Sequence, residues 1–321
     1  MKSTRHHLID WAQAGRLEPG SLERAFEAAG AFPDGAAWLR FLDRLLLWLG
    51  ALLIAAGVIF FFAYNWNDLG RYAKFGLVEL LVVAALAVIW RLGLETLAGK
   101  VTLLAAALFV GALLALVGQT YQTGADTHEL FSAWAVLILP WVLVGRFSAL
   151  WIVWLGLLNA AVTFYYVVFG GLFGVLFAPD RLMWVLFGLN VVALLAWEGL
   201  ASGRADDRWA IRILATASGG IATALAMFAI VDFRHAGGWG LVAWLAYIAG
   251  AYALYRRTRP DLYVLAGGVL SIIVVVTTWL TRALLTHGEA AGAFLLIGML
   301  VIGMSAAGGW WLRRIAMELQ S

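Results

Sequence analysis

The chain has 321 residues, 64% of them apolar and 13% charged, whereas soluble domains sit near ~45–50% and ~25%. That balance excludes an ordinary water-soluble domain and calls for lipid as the main solvent of the side chains. The absence of cysteine excludes disulfides, thiolate catalysis and Cys-ligated metals, and a formal charge of +3 is too small for a nucleic-acid footprint.

The first 44 residues are polar, so no cleaved signal peptide is expected there. Residues 1–42 read instead as a helical hairpin. Leu8, Trp11 and Ala12 share one helical face, Gly15 suits a helix stop, and Pro19 suits the first turn of a second helix. Leu22, Ala25, Phe26 and Ala29 form the apolar face of that second helix. Residues 1–44 balance basic against acidic side chains (Lys2, Arg5, Arg16, Arg24, Arg40, Arg44 against Asp10, Glu18, Glu23, Glu27, Asp34, Asp43). A docking hairpin therefore fits better than a DNA reader.

About 20 apolar residues in a helix cross a hydrocarbon core of roughly 30 Å. Charge-poor runs of that order begin at Leu45–Tyr64, Tyr72–Trp90, Val101–Gly118 and Leu130–Gly145, the last carrying Pro140. The charge-free run from Phe147 to Pro179 is too long for one upright span. It reads as a fifth helix to Val168, followed by a Gly-rich exoplasmic or re-entrant segment. Leu182–Trp197, Ile213–Val231, Gly238–Tyr255, Leu262–Thr281 and Ala290–Leu312 complete ten spans.

Orientation follows from Lys and Arg in the short loops. With the N-terminus inside, only Arg71, Lys74, Arg181, Arg234 and Arg282 fall outside, and the other 17 of the 22 Lys and Arg fall inside. The expected fold is an all-α polytopic transmembrane bundle of about ten spans, with both termini cytoplasmic. Its expected parts are the hairpin at 1–42, spans one to five at 43–168, the Gly-rich segment at 169–181, and spans six to ten with a short cytoplasmic tail at 182–321.

The motifs of the first half resemble a known family. The opening hairpin LIDWAQAGRLE (residues 8–18) leads to a first span with the exit Ala63-Tyr64-Asn65-Trp66. Next comes Gly118-Gln119-Thr120-Tyr121-Gln122-Thr123-Gly124-Ala125-Asp126, with Leu130-Phe131 and Leu139-Pro140-Trp141 beyond it. Over roughly residues 6–165 the chain resembles the bacterial membrane proteins of domain-of-unknown-function family 2157. The resemblance implies a bacterial cytoplasmic (inner) membrane protein and no particular activity.

Polar groups inside a bilayer are costly and mark candidate sites. Glu79 lies in the second span. Asn159 and Asn190 fall near the middle of the fifth and sixth, where a mutual hydrogen bond is the simple account. The two outer loops add Asn65, Asp68 and Arg71 from the first, and Gln119, Tyr121, Gln122, Asp126, His128 and Glu129 from the second. These surround a candidate outward-facing vestibule above Glu79. The spacing of Asp126, His128 and Glu129 matches no familiar metal motif, and no nucleophile stands beside them. Neither a metal site nor a catalytic residue is expected, and no cofactor. Walker, Rossmann and paired-His motifs are absent.

The small residues Ala215, Gly219 and Thr223, and Gly298 with Gly303, suit close helix packing. Arg256, Arg257 and Arg259 suit anionic headgroups. Two functional classes fit. One is a transporter or lipid-handling protein with an outward-facing polar site near spans one to four. The other is a non-catalytic scaffold or envelope sensor that docks a cytoplasmic protein through residues 1–42. An intramembrane enzyme ranks third. The bilayer is the expected partner, and nucleic acid is not one.

Overall fold

The structure, a computed structural model, describes residues 71–121, 124, 126–169, 179–200, 208–232, 237–285 and 290–319, together with 21–29 and scattered positions among 8–70. The chain divides into two compact units, residues 1–70 with 320–321, and residues 71–319. The described residues are helical, with no strand among them.

In the first unit, a helical turn ends at Gly15, whose φ of +67° is open to glycine at little cost. The Gly15 amide donates to Ala12 O at 3.1 Å and the Arg16 amide to Trp11 O at 2.9 Å, the paired bonds of a Schellman stop. Helix α1 (Leu22–Ala28) follows. The predicted span Leu45–Tyr64 falls mostly outside the described residues; its described positions 45, 46, 49, 53, 60 and 64 are helical.

The second unit begins with α2 (Arg71–Leu92), α3 (Leu97–Tyr121), α4 (Thr127–Gly145) and α5 (Ser148–Phe169). It continues with α6 (Pro179–Leu200), α7 (Arg208–Val231), α8 (Trp239–Ala253), a π-helical turn (Leu254–Thr258), α9 (Leu262–Leu285) and α10 (Ala290–Glu318). Eight of these, α2 to α7 with α9 and α10, are long and apolar enough to cross a membrane. Helix α8 has 15 residues, but its helical course continues through the π turn to Thr258. The expected Gly-rich segment lies mostly outside the described residues. Helix α6 starts three residues before the expected Leu182, because Pro179 lacks an amide that a first turn would leave unsatisfied in any case.

Helices α2 to α5 pack in series, each against its neighbours in the chain. Local chemistry closes each hairpin. Gly93 ends α2 at φ +73°. The Thr96 hydroxyl then caps α3 by accepting the Gly99 amide at 3.0 Å. A Cβ at Gly99 would lie 2.0 Å from Gly93 O, so only glycine fits that approach. Between α3 and α4 the Trp134 ring lies against Gly111, and its Nε1 donates to Ala107 O at 2.8 Å. Leu103, Ala107, Ile138, Val142 and Leu150 complete this core.

Helices α6 to α10 are arranged around α7, which packs against α6, α8 and α9; α10 packs on α9. The apolar stretch of α7 is 44% buried and that of α10 not at all, so apolar character alone does not decide which helix is central. The stripe Ile211, Leu214, Ser218, Ala222, Leu225 and Ala229 is buried at helical spacing, and its small members admit neighbouring backbones. A Cβ on Gly240 of α8 would lie 2.4 Å from Leu225 O. The perimeter exposes large apolar side chains, among them Val136, Leu195, Leu245, Leu270 and Ile302, as a bundle solvated by lipid requires.

Candidate functional site

Helix α7 presents a second face, beside its buried stripe, to a gap between α8 and α9. The gap is a laterally open cleft of about 520 Å³, within the ~300–1,000 Å³ of typical ligand sites. Its floor is Gly219, Gly220 and Thr223 of α7, and its walls include Tyr247 and Ile248 of α8 with Gly267 and Ser271 of α9. From Ala215 to Met227 the cleft follows α7 for about 18 Å at 1.5 Å per residue.

Hydroxyl pairs hold the three helices around the cleft. Ser218 Oγ and Tyr247 OH are 3.0 Å apart, and Tyr247 OH donates to Ala215 O at 3.0 Å. Thr223 Oγ1 lies 2.6 Å from Ser271 Oγ, which also accepts Trp244 Nε1 at 2.8 Å. Thr216 Oγ1 lies 3.1 Å from Tyr263 OH. The polar atoms are thus engaged with one another, and what remains facing the cleft is largely methyl, methylene and ring carbon. Such a surface suits an acyl chain better than a sugar or an ion.

One end of this half is charged. Asp261 is buried and caps α9 by accepting the Tyr263 amide at 3.0 Å. Its Oδ2 accepts Arg208 Nη1 and Arg212 Nε, each at 3.2 Å. The Arg212 guanidinium lies 5.6 Å from the Tyr263 ring centroid. Arg259 of the α8–α9 connection donates to the carboxylate and to the backbone carbonyl of buried Glu198 on α6. Arg256 pairs with Glu318 of α10, which also accepts Arg314 Nε at 3.2 Å. The structure gives Arg256 and Arg259 a role beside the expected headgroup contact, because both guanidiniums tie helices together.

The other candidates are dispersed. Asn190 Nδ2 donates to Asn159 Oδ1 at 2.6 Å across α5 and α6, and Asn190 is buried. Each amide also donates to its own helix, Asn159 to Leu155 O and Asn190 to Leu186 O, both at 2.8 Å. Glu79 is exposed on α2. Asp126 and Glu129 form a capping box at the start of α4, with the Asp126 amide donating to Glu129 Oε2 at 3.2 Å. The ring of His128 stands 5.4 Å edge-on to Tyr165, and Tyr121 lies 5.9 Å from Phe75. Arg71 donates to Tyr72 OH at 3.1 Å. Gln119 and Asp68 are exposed, whereas Asn65 and Gln122 lie outside the described residues. Among the described residues no group of three His, Asp or Glu is arranged to hold a metal.

Sequence reasoning missed Asp261, Glu198, Ser218, Tyr247 and Ser271. Asp261 carried a signal, an Asp after Pro260 and directly before an apolar run, which is a helix-start signature.

These features define a polytopic helical membrane protein with one half built around a central small-residue helix. Residues 9–151 match the family described as predicted membrane protein (DUF2157), in agreement with the resemblance read from the first-half motifs. No curated protein and no solved structure matches the chain.

Proposed function

We propose that this is a lipid-handling membrane protein that takes an acyl chain laterally into the cleft between α7, α8 and α9. The observation that carries the reading is the cleft itself, carbon-lined and open to the side, with its polar atoms already satisfied. The outward-facing site near spans one to four has less support, since Asp126 and Glu129 are used in a helix cap. The accompanying topology is ten spans in a bacterial cytoplasmic membrane, with both termini and the arginine-rich end of α6 to α10 inside.

The test is to fill the cleft. Gly220 and Gly267 line it, and a Cβ on either meets no atom within 4 Å. Gly220→Leu and Gly267→Leu are expected to fold and to abolish photo-crosslinking of a diazirine-bearing fatty acyl lipid to α7 and α9. Crosslinking that persists at wild-type yield in both variants would end the reading.

A second reading draws on the compact unit formed by the first 70 residues and on its Gly15 helix stop. Residues 1–42 would then dock a cytoplasmic protein, and their deletion would remove a captured partner while lipid crosslinking stayed intact.

A further inference from the structure

The cleft has one charged end. Thr216 and Tyr263 line it there, their hydroxyls 3.1 Å apart, and Arg212 stacks on the Tyr263 ring. Asp261 orients both neighbouring guanidiniums by accepting from Nε of Arg212 and Nη1 of Arg208. Among the described residues, that leaves the Arg212 Nη groups and Arg208 Nη2 without a partner, and the two side chains are 46% and 40% exposed. Two guanidiniums against one carboxylate, among the described residues, give a charge of +1, which complements a single phosphodiester. The wider setting is also positive. At this end of α6 to α10 the described residues carry seven arginines (Arg208, Arg212, Arg256, Arg257, Arg259, Arg313, Arg314) against three carboxylates (Glu198, Asp261, Glu318).

We propose that Arg212 and Arg208 bind the phosphate of an anionic phospholipid whose acyl chain occupies the cleft. The inference rests on the lipid-handling reading and adds the headgroup class. A planar guanidinium offers two parallel N–H donors to phosphate oxygens. A zwitterionic headgroup brings its own ammonium or choline cation into a region of excess positive charge, whereas a glycerol headgroup brings none. The cleft runs about 18 Å from this end along α7 at 1.5 Å per residue, while half of a ~30 Å hydrocarbon core is about 15 Å. One leaflet's acyl chain is thus matched in length, with its phosphate at the arginines.

The experiment is native mass spectrometry of the full chain released from nanodiscs containing equal phosphatidylglycerol and phosphatidylcholine. Wild type is expected to retain phosphatidylglycerol about tenfold over phosphatidylcholine, the order of effect expected when a choline cation is placed near one excess positive charge at a protein surface. Arg208→Gln/Arg212→Gln is expected to bring the ratio to within about twofold, with some of both lipids still retained. Arg212→Lys keeps the charge that disfavours choline but loses the fork to the phosphate both lipids share, so less of both is expected at a nearly unchanged ratio. Arg212→Gln alone, with an intermediate ratio expected, is the deciding variant if the double one does not fold. Equal retention by wild type, or a preference unchanged by Arg212→Gln and by any folded double variant, overturns the headgroup assignment. Gly267→Leu separates the two claims. If it removes both lipids while wild type shows no preference, the cleft reading stands and the headgroup inference falls; if it removes neither, the cleft reading itself falls.

Discussion

Helices α2 to α5 and helices α6 to α10 are drawn from the same apolar alphabet but are held together differently. The first set packs neighbour on neighbour, with rings against glycine and caps at the turns: Trp134 on Gly111, Thr96 on α3, Asp126 with Glu129 on α4. The second set is held by side-chain hydroxyls and ion pairs that join residues distant in the chain: Thr223 with Ser271, Arg208 with Asp261, Arg259 with Glu198. A serial bundle needs only good hairpins, because each contact lies near in sequence. A hub needs long-range polar clasps, because α7 must hold three partners at once while leaving a gap between two of them. The gap is the cleft.

The strongest challenge to this contrast is Glu198. Glu198 is buried whereas Arg259 is 31% exposed, so removing the arginine strands a buried carboxylate, typically at about 3–5 kcal/mol. Arg259→Ala is therefore expected to lower the unfolding midpoint in mixed micelles more than any comparable change in α2 to α5. Glu198→Gln with Arg259→Gln is expected to recover much of that loss, because neither charge is then left alone. An Arg259→Ala protein that melts like wild type would remove the distinction between the halves.

Next in size is Gly111→Ala. Its Cβ would lie 2.2 Å from the Trp134 ring, so α3 and α4 must separate or the ring must turn and lose its bond to Ala107 O, at about 1–3 kcal/mol for overpacking. Gly118→Ala on the same helix meets nothing within 4 Å and is expected to be neutral or stabilising by up to ~1 kcal/mol. Equal melting temperatures for the two variants would show that ring-on-glycine packing does not hold the serial half.

The smallest expected effect falls where the halves meet. Asn159 and Asn190 bond across α5 and α6. Hydrogen bonds between membrane helices are worth ~0.6–2 kcal/mol. A double-mutant cycle with Asn159→Leu and Asn190→Leu should return a coupling in that range, and additive losses would mean that the amides act only through their own helices.

How much of this was legible follows the range of the interactions. The run from Val101 to Gly118 had to be helical, because lipid offers the backbone no other partner, and α3 indeed contains it. Gly15 could be named as a stop because its role depends on four residues before it and one after. Asn159 and Asn190 could be paired on paper because consecutive antiparallel spans bring their middles together. Asp126 and Glu129 were read as loop polarity because the Asp-x-x-Glu spacing was weighed as chemistry rather than as a cap. Arg259 was read as a headgroup anchor because its partner, Glu198, is 61 residues away.

Composition and periodicity by themselves determined that this chain is helical, that lipid is its solvent, and where most of its helices run, since each of these depends on residues within one turn or one span. The tertiary structure alone decided that α7 is central, that α8 and α9 leave a cleft over it, and that Asp261 turns two arginines into one oriented cluster. Those outcomes depend on which helix faces touch: Ala215, Gly219 and Thr223 marked a packing face in the sequence, but not which helices would meet it.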